Sequence, residues 1–293
     1  MILNSFNPLV SIIIPVFNGS NYMQSAIDSA LDQDYDNIEV IVVNDGSKDN
    51  TEEIAKSYGD KIRYFSKENG GVATALNLAI EKSNGEYISW LSHDDYYLPN
   101  KVSSQVKELS YINKRDKIII FSSEENHYIQ NENITVKRSN ILNLIHSGQL
   151  TKVESLKLLF LRVINGCTLL IPKNAFLTAG YFDKTLLTTQ DYDLWFKFIK
   201  EGYTFFYLPE YLMVSRQHEQ QDSIKKYDLG ISEKKKMFNS NYIIFKEDIN
   251  NADKNDKILI KNNLKEFKSH YIIFSKFKKK IKQCIKNIKN NHN

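Results

Sequence analysis

Cysteine is scarce in this chain, and long apolar runs are missing. The 293 residues include two cysteines, Cys167 and Cys284, which cannot form a disulfide framework and fit a reducing cytosol. The longest apolar runs, Val10–Val16 and Ile38–Val43, fall far short of the roughly 20 residues that cross a bilayer. Met1–Pro8 lacks the basic and apolar regions of a secretion signal. We therefore expect a cytoplasmic globular protein, and 42% hydrophobic residues is an ordinary share for one.

Acidic residues are absent from the C-terminal tail. No Asp or Glu follows Glu266, whereas eight lysines do: Lys268, Lys276, Lys278, Lys279, Lys280, Lys282, Lys286 and Lys289. The formal net charge of +4 therefore belongs to the tail, and the body of the chain is mildly acidic. Apolar residues recur at helical spacing among these lysines: Ile273, Phe277, Ile281, Ile285 and Ile288.

Two interpretations of this basic tail stay open. It is either a helix that packs on the domain or an amphipathic helix that lies on an anionic membrane surface. Binding of nucleic acid has the least support, because no recognition motif accompanies the charge, and we predict no nucleic-acid partner.

Strand and helix patterns alternate through the first half of the chain. Val10–Val16 and Ile38–Val43 are typical of strands buried on both faces, and two further strands are predicted at Ile62–Ser66 and Tyr87–Leu91. Helical patterns separate these four segments. Repeated βα units predict an α/β fold with a mainly parallel sheet flanked by helices.

The second half is less regular. It contains helical patterns at Lys152–Val163 and Tyr192–Lys200 and short strand candidates at Tyr203–Leu208 and Tyr211–Ser215, while the polar segment Glu124–Asn140 is hard to assign. We predict a catalytic domain over residues 1–222, with a nucleotide-binding half at about 1–122 and an acceptor half at about 123–222. Residues 223–293 are predicted to form a basic, helical C-terminal extension.

Polar clusters follow three of the predicted strands, and they are expected to meet at one edge of the sheet. They are Phe17-Asn18, Asn44–Ser47 and Ser92–Asp95. The phosphate loops GxGxxG and GxxxxGK[ST] are both missing, which argues against a dinucleotide oxidoreductase and a P-loop NTPase. Carboxylates that hold a divalent cation can neutralise a diphosphate instead, and Asp94 and Asp95 are the candidates.

Four motifs in order resemble those of the family-2 glycosyltransferases, whose fold is called GT-A. They are Val10–Asn18, Val42–Ser47, Trp90–Asp95 and Thr189–Trp195. The resemblance covers about residues 9–220. It implies transfer of a sugar from a nucleoside diphosphate, here a UDP-sugar, to a hydroxyl of a glycan or lipid-linked acceptor, with inversion at the anomeric carbon.

The resemblance also implies roles for individual residues. Asp191 would be the general base, and Asp95 would bind Mg²⁺ or Mn²⁺ with help from His218. The nucleotide-sugar group comprises Pro15, Val16, Phe17, Asn18, Asp45, Ser47, Asn77 and Asp94. A weaker group that would contact the acceptor or the sugar comprises Trp90, His93, Asn165, Gly166 and Gln190.

Three departures from the family pattern keep alternatives open. Ser92 stands where a first carboxylate is common, Leu76 where an arginine is frequent, and Gln190 where Glu is usual. Because of Ser92 and Leu76, a sugar-nucleotide or glycan-binding scaffold with degenerate catalysis is one alternative. A nucleotidyltransferase of similar fold is another, although it would need a Gly-rich basic loop after the first strand. Two of the predicted functional residues also fit purely structural roles: Asp45 fits an ordinary turn residue, and Asp191 fits the N-cap of a helix.

Overall fold

The computed structural model describes residues 6–130, 133–138, 141, 144–218 and 227–265. The basic tail beyond residue 265, with Cys284, therefore lies outside the described residues. The strands are β1 Val10–Val16, β2 Ile38–Asn44, β3 Arg63–Ser66, β4 Tyr87–Trp90, β5 Tyr96–Tyr97, β6 Ile118–Gln130, β7 Asn133–Arg138, β8 Gly148–Gln149, β9 Leu169–Pro172 and β10 Thr204–Gln217. The helices are α1 Met23–Leu31, α2 Thr51–Ser57, α3 Val72–Lys82, α4 Lys101–Ser110, α5 Lys152–Leu161, α6 Lys173–Ala179, α7 Gln190–Lys200, α8 Tyr227–Ile244 and α9 Lys246–Asn251, and residues 254–265 are also helical.

The strands form one sheet in the order β3-β2-β1-β4-β9-β6-β10-β5, with β7 paired to β6 and β8 to β10. The first four strands are parallel, as predicted, because a helix or a longer connection carries the chain back between them. The second half is mixed. β6 and β10 are parallel, whereas β9 runs antiparallel to both β4 and β6, and β5, β7 and β8 are antiparallel to their partners.

The sheet is buried on both faces, which explains why β1 and β2 read as continuous apolar runs. Because side chains alternate along β1, Ile12 and Ile14 face one core with α1 and α4, while Ile13 faces the other with α3 and α5–α7. The core of the second face includes Trp195, which is fully buried. This arrangement leaves the carboxyl ends of β1, β2 and β4 at one edge of the sheet.

The C-terminal extension shares the second core. Phe238 of α8 packs against Phe160 and Phe196, with ring centroids 5.8 and 6.1 Å apart, and Phe245 stacks on Phe196 at 6.1 Å. Lys157 of α5 forms a buried ion pair of 2.7 Å with Asp256. The change in composition near residue 222 therefore does not separate two hydrophobic cores.

Among the helices that the structure describes, none combines the length and the apolar character needed to span a membrane.

Candidate active site

A cavity of 720 Å³ opens at the carboxyl ends of β1, β2 and β4. Most of the predicted site residues line it: Pro15, Val16, Phe17, Asn18, Asp45, Trp90, His93, Asp94, Asp95, Gln190 and His218. The structure thus brings together side chains from five segments that are far apart in the sequence. Gly230 and Lys234 of α8 complete the wall, so the C-terminal extension is part of the site.

Asp45 is buried on the nucleotide side, where it organises the loop before α3. Its Oδ1 accepts hydrogen bonds from Lys67 Nζ at 2.6 Å and from Gly70 N at 3.0 Å, and its Oδ2 accepts one from Gly71 N at 2.8 Å. Gly71 has a φ of 87°, in the left-handed region that favours glycine. The carboxylate therefore holds a tight Gly-Gly loop against the end of β2.

Asn18 and Ser47 join the loops that follow β1 and β2. Asn18 has a φ of 51°, its N–H donates to Ser47 Oγ at 2.9 Å, and its Oδ1 accepts from Lys48 N at 2.8 Å. Ser47 is not part of the cavity lining, so its place is behind Asn18. Phe17 is 45% exposed, which leaves its ring available to a flat ligand.

Asp94 and Asp95 form an acidic pair after β4. Asp95 is buried, and its Oδ1 accepts a hydrogen bond from Arg216 N at 2.9 Å. Burial, together with the neighbouring carboxylates of Asp94 and Glu124, raises the pKa of Asp95 well above its usual range. A cation at this position would relieve that cost, because two close carboxylates repel each other in a buried site.

His218 lies beside Asp94. Its Nε2 is 3.3 Å from Asp94 Oδ2, its ring centroid is 4.8 Å from that of Tyr22, and its buried Nδ1 has no hydrogen-bond partner among the described residues. The part of the chain that the structure describes contains no group of three or more His, Cys, Asp or Glu side chains arranged to hold a metal. The donor set nevertheless fits Mg²⁺ or Mn²⁺ at a diphosphate site, where one or two carboxylates act together with phosphate oxygens.

Arg216 was not singled out by the sequence, although it lies two residues before His218. Its guanidinium donates to the backbone oxygen of Asp94 at 3.1 Å and to Ser25 Oγ at 2.5 Å, and it lies 4.7 Å from the centre of the Tyr96 ring. Together with its backbone N–H, it fixes both acidic residues to β10.

Asp191 lies in the first turn of α7, next to Gln190 of the cavity lining. Its Oδ1 accepts a hydrogen bond from Tyr192 N at 2.8 Å, and burial raises its pKa to about 6. Asp191 is not itself in the cavity lining, whereas the preceding Gln190 and Thr188 are. A carboxylate with this pKa is suited to accept a proton near neutral pH.

A clamp from α8 fixes the loop before Asp191. The carboxylate of Glu233 accepts hydrogen bonds from the backbone N–H groups of Leu187 and Thr188, at 3.0 and 2.9 Å, and from Thr188 Oγ1 at 2.6 Å. Neither Glu233 nor Lys234 was predicted as a site residue, because nothing in a lysine-rich helix distinguishes them.

Besides Ser47 and Asp191, three predicted site residues lie outside the cavity lining: Asn77, Asn165 and Gly166. Asn77 pairs with the backbone of Phe182 through two hydrogen bonds, at 2.9 and 3.0 Å. Asn165 donates to Glu124, and Gly166 packs so closely on Trp90 that a Cβ there would overlap the indole. The structure therefore gives Asn77 a packing role, and it places Asn165 and Gly166 behind Trp90. The buried Nε1 of Trp90 itself has no partner among the described residues.

Comparison with known proteins agrees with this geometry. The sequence model described as "Glycosyl transferase family 2" matches residues 11–164. The chain is 50% identical over 222 residues to an uncharacterized glycosyltransferase of Rickettsia typhi, a match that covers 74% of this chain and 67% of that protein. It covers only 36% and 32% of two further Rickettsia relatives.

Two further matches are to proteins with specific names, and both are less identical in sequence to this chain than the Rickettsia typhi relative. The chain is 35% identical over 230 residues to the hyaluronan synthase of Pasteurella multocida, covering 78% of this chain and 22% of that protein. The structure of S. aureus TarS 1–349 in complex with UDP-GlcNAc superposes with a TM-score of 0.66 at 17% identity, over 88% of this chain and 71% of that one. The chain belongs to glycosyl transferase family 2 and has the GT-A fold that its motifs predicted.

Proposed function

We propose that this chain transfers a sugar, with inversion, from a UDP-sugar to a hydroxyl of a glycan or lipid-linked acceptor. One observation carries the proposal: the acidic pair Asp94-Asp95 and the loop that leads into Asp191 border the same cavity. A related glycosyltransferase structure holds UDP-GlcNAc, and a relative is named for hyaluronan synthesis, which supports a UDP-sugar and a polysaccharide product.

Asp191 is assigned the role of general base. Its carboxylate accepts the proton of the acceptor hydroxyl while that oxygen bonds to the anomeric carbon. The bond from the anomeric carbon to the diphosphate oxygen breaks in the same step, and its electron pair leaves with the diphosphate. Attack opposite the leaving group inverts the anomeric centre.

The other residues bind and orient the donor. Asp95, Asp94 and His218 would hold a divalent cation, whose chemistry is to stabilise the charge that grows on the leaving diphosphate. Asp45 keeps the Gly70-Gly71 loop in place at the base and ribose, and the exposed ring of Phe17 offers a face to the base. The unpartnered Nε1 of Trp90 is placed to donate to a sugar oxygen.

The test is a mass-spectrometric screen of sugar nucleotides for Mn²⁺-dependent hydrolysis, with Asp191→Asn as the variant and Asp193→Asn as its control. Asp193 lies in the same turn but pairs with Lys197 at 2.7 Å. We expect one UDP-sugar to be hydrolysed by the wild type and the control, and neither by Asp191→Asn nor after EDTA treatment. Binding of UDP without hydrolysis of any donor would instead favour the scaffold with degenerate catalysis.

We also propose that the protein works at the inner face of the cell membrane. The support is the tail after Glu266, whose lysines alternate with apolar residues at helical spacing. A lipid-linked acceptor would be presented at that surface.

A further inference from the structure

Tyr22 stands at the start of α1 and lines the cavity. The turn that brings it there is tight, because the N–H groups of Tyr22 and Met23 both donate to Gly19 O, at 3.0 and 2.9 Å. A Cβ on Gly19 would lie only 2.6 Å from side-chain carbons of His93 and Val16, so the turn has no room for a larger residue. The backbone therefore fixes where the Tyr22 ring enters the cavity wall.

The ring of Tyr22 contacts two side chains at the end of β10. Its centroid is 4.8 Å from that of the His218 ring, and the two planes are inclined by 31°. The guanidinium of Arg216 lies 5.4 Å from the centroid of Tyr22 and 4.7 Å from that of Tyr96. Aromatic stacking and cation–π contacts are both favourable at these distances. Arg216 also donates to Ser25 Oγ of α1 at 2.5 Å, so the start of α1 is held against β10.

The orientation of His218 depends on few contacts. β10 ends at Gln217, so His218 follows the last paired residue of the strand. Its Nε2 is 3.3 Å from Asp94 Oδ2, and its buried Nδ1 has no hydrogen-bond partner among the described residues. A histidine that binds a metal usually donates its second ring nitrogen to a group that fixes the ring. In the part of the chain that the structure describes, the stacked ring of Tyr22 supplies this support instead.

We propose that Tyr22 is a positioning residue, whose ring keeps the imidazole of His218 directed at the cation site beside Asp94. This inference rests on the cation site of the proposed function and adds to it a residue that neither binds the cation nor reacts. The side-chain contacts of Tyr22 are made by its ring, and no described residue forms a hydrogen bond with its hydroxyl. Phenylalanine should therefore be able to replace Tyr22, whereas leucine should not.

The experiment measures how much Mn²⁺ strengthens the binding of UDP. Dissociation constants of UDP are determined by calorimetry, once with Mn²⁺ and once with EDTA, and their ratio is the gain from the cation. Damage to the nucleotide pocket alone would change both constants and leave the ratio as it was. The variants are Tyr22→Leu, Tyr22→Phe, His218→Ala and the double variant Tyr22→Leu/His218→Ala. Tyr111→Leu is the control, because Tyr111 is 71% exposed and lies outside the cavity lining, and thermal melts check the fold of each variant.

We expect Tyr22→Leu to reduce the gain from Mn²⁺ about tenfold, the usual effect of removing a group that orients a metal ligand. The affinity for UDP in EDTA should change less than about twofold. Tyr22→Phe and Tyr111→Leu should keep the gain of the wild type. In the His218→Ala background, Tyr22→Leu should cause no further loss, because a residue that acts through His218 has nothing left to position.

Three results would overturn the positioning role and leave the cation site standing. They are an unchanged gain in Tyr22→Leu, a loss in Tyr22→Phe as large as that in Tyr22→Leu, and a further loss in the double variant. A wild type that binds UDP equally well in Mn²⁺ and in EDTA would overturn the cation site of the proposed function, and the positioning role with it.

Discussion

At the scale of single residues, burial sets the pH range of the proposed base. Burial raises the pKa of Asp191 to about 6, and a carboxylic acid must lose its proton before it can accept another. We therefore predict that the transfer rate falls as the pH drops below about 6 and levels off above it. Asp191→Asn should lower kcat by about 10²–10⁴-fold, the usual contribution of a general base.

A pH–rate profile under donor saturation checks this assignment. Asp193→Asn should keep both the rate and the acidic limb of the wild type. An Asp191→Asn variant that retained the full rate, or a profile unchanged by the substitution, would assign the base to another group.

Asp45 supports a second prediction at this scale, because its carboxylate accepts three short hydrogen bonds in a buried place. Asp45→Asn replaces one acceptor by an amide donor, which then faces either Lys67 Nζ or a backbone N–H of the Gly-Gly loop. We expect a loss of about 2 kcal/mol in the free energy of unfolding, measured by urea titration.

Lys67→Met is the matched control for Asp45. It leaves the carboxylate with both glycine N–H donors, so it should cost about 1 kcal/mol or less. If Asp45→Asn were as stable as the wild type, the carboxylate would have no structural role and would be free for the base or the ribose alone.

Site residues were predictable where they directly follow a strand, because that position alone places them at the edge of the sheet. Asp94 and Asp95 follow a buried strand, and parallel strands bring their carboxyl ends together, so Asp45 and Asn18 had to be near them. Asn77 could not be placed in this way, because its amide pairs with Phe182, which is 105 residues away. Lys234 gave no signal, since its helix carries lysines on several sides.

At the scale of elements, Glu233 ties α8 to the loop before α7. Burial by itself raises the pKa of Glu233, but the hydrogen bonds from Thr188 and Leu187 outweigh it and hold the pKa below its usual range. We predict that Glu233→Gln loosens this loop, because a neutral amide offers one acceptor where the carboxylate offers two. Hydrogen exchange at the amides of Leu187 and Thr188 should become about tenfold faster or more.

The same hydrogen-exchange measurement includes amides that serve as an internal reference, and it is repeated at several pH values. Amides of β1 should exchange as in the wild type. Since the pKa of Glu233 is depressed in the folded state, its stabilising effect is present above the usual carboxyl pKa and is lost as the pH falls through the lowered value. Unchanged exchange at both loop amides would show that the clamp does not hold the loop.

Element boundaries were predicted well for β1 and β2 and poorly for β10. Two short strands, Tyr203–Leu208 and Tyr211–Ser215, are one strand in the structure, Thr204–Gln217. Pro209 has no N–H to donate, and the pairing of β10 with β6 shifts register between Leu208 and Tyr211, so the interruption in the pattern marks a bulge. The polar segment after Glu124 was hard to assign from the sequence, because β6 and β7 form a hairpin. Its exposed side chains include apolar ones, Ile134 and Val136, so polarity does not mark the exposed face.

At the scale of the whole molecule, the chain after residue 226 divides into a part that completes the core and a tail that carries the charge. Six buried apolar side chains come from the first part: Met237, Phe238, Phe245, Ile249, Ile260 and Leu264. At about 2 kcal/mol each, their burial is comparable to the entire stability of a typical domain. The composition suggested a single C-terminal extension rather than these two parts, because the apolar residues of α8 are interspersed with lysines in the sequence.

Two truncations separate these parts. Deletion of residues 227–293 should yield an unfolded or aggregated chain, because it exposes the core around Phe160 and Phe196.

Deletion of residues 267–293 should leave the thermal melt and UDP binding unchanged, yet abolish sedimentation with vesicles that contain anionic lipid. The eight lysines removed each contribute about 1 kcal/mol near such a surface, and salt screens that attraction. Full-length protein should therefore leave the vesicles as salt is raised. A truncated protein that sediments as well as the full chain would contradict the membrane assignment and favour a tail that packs on the domain.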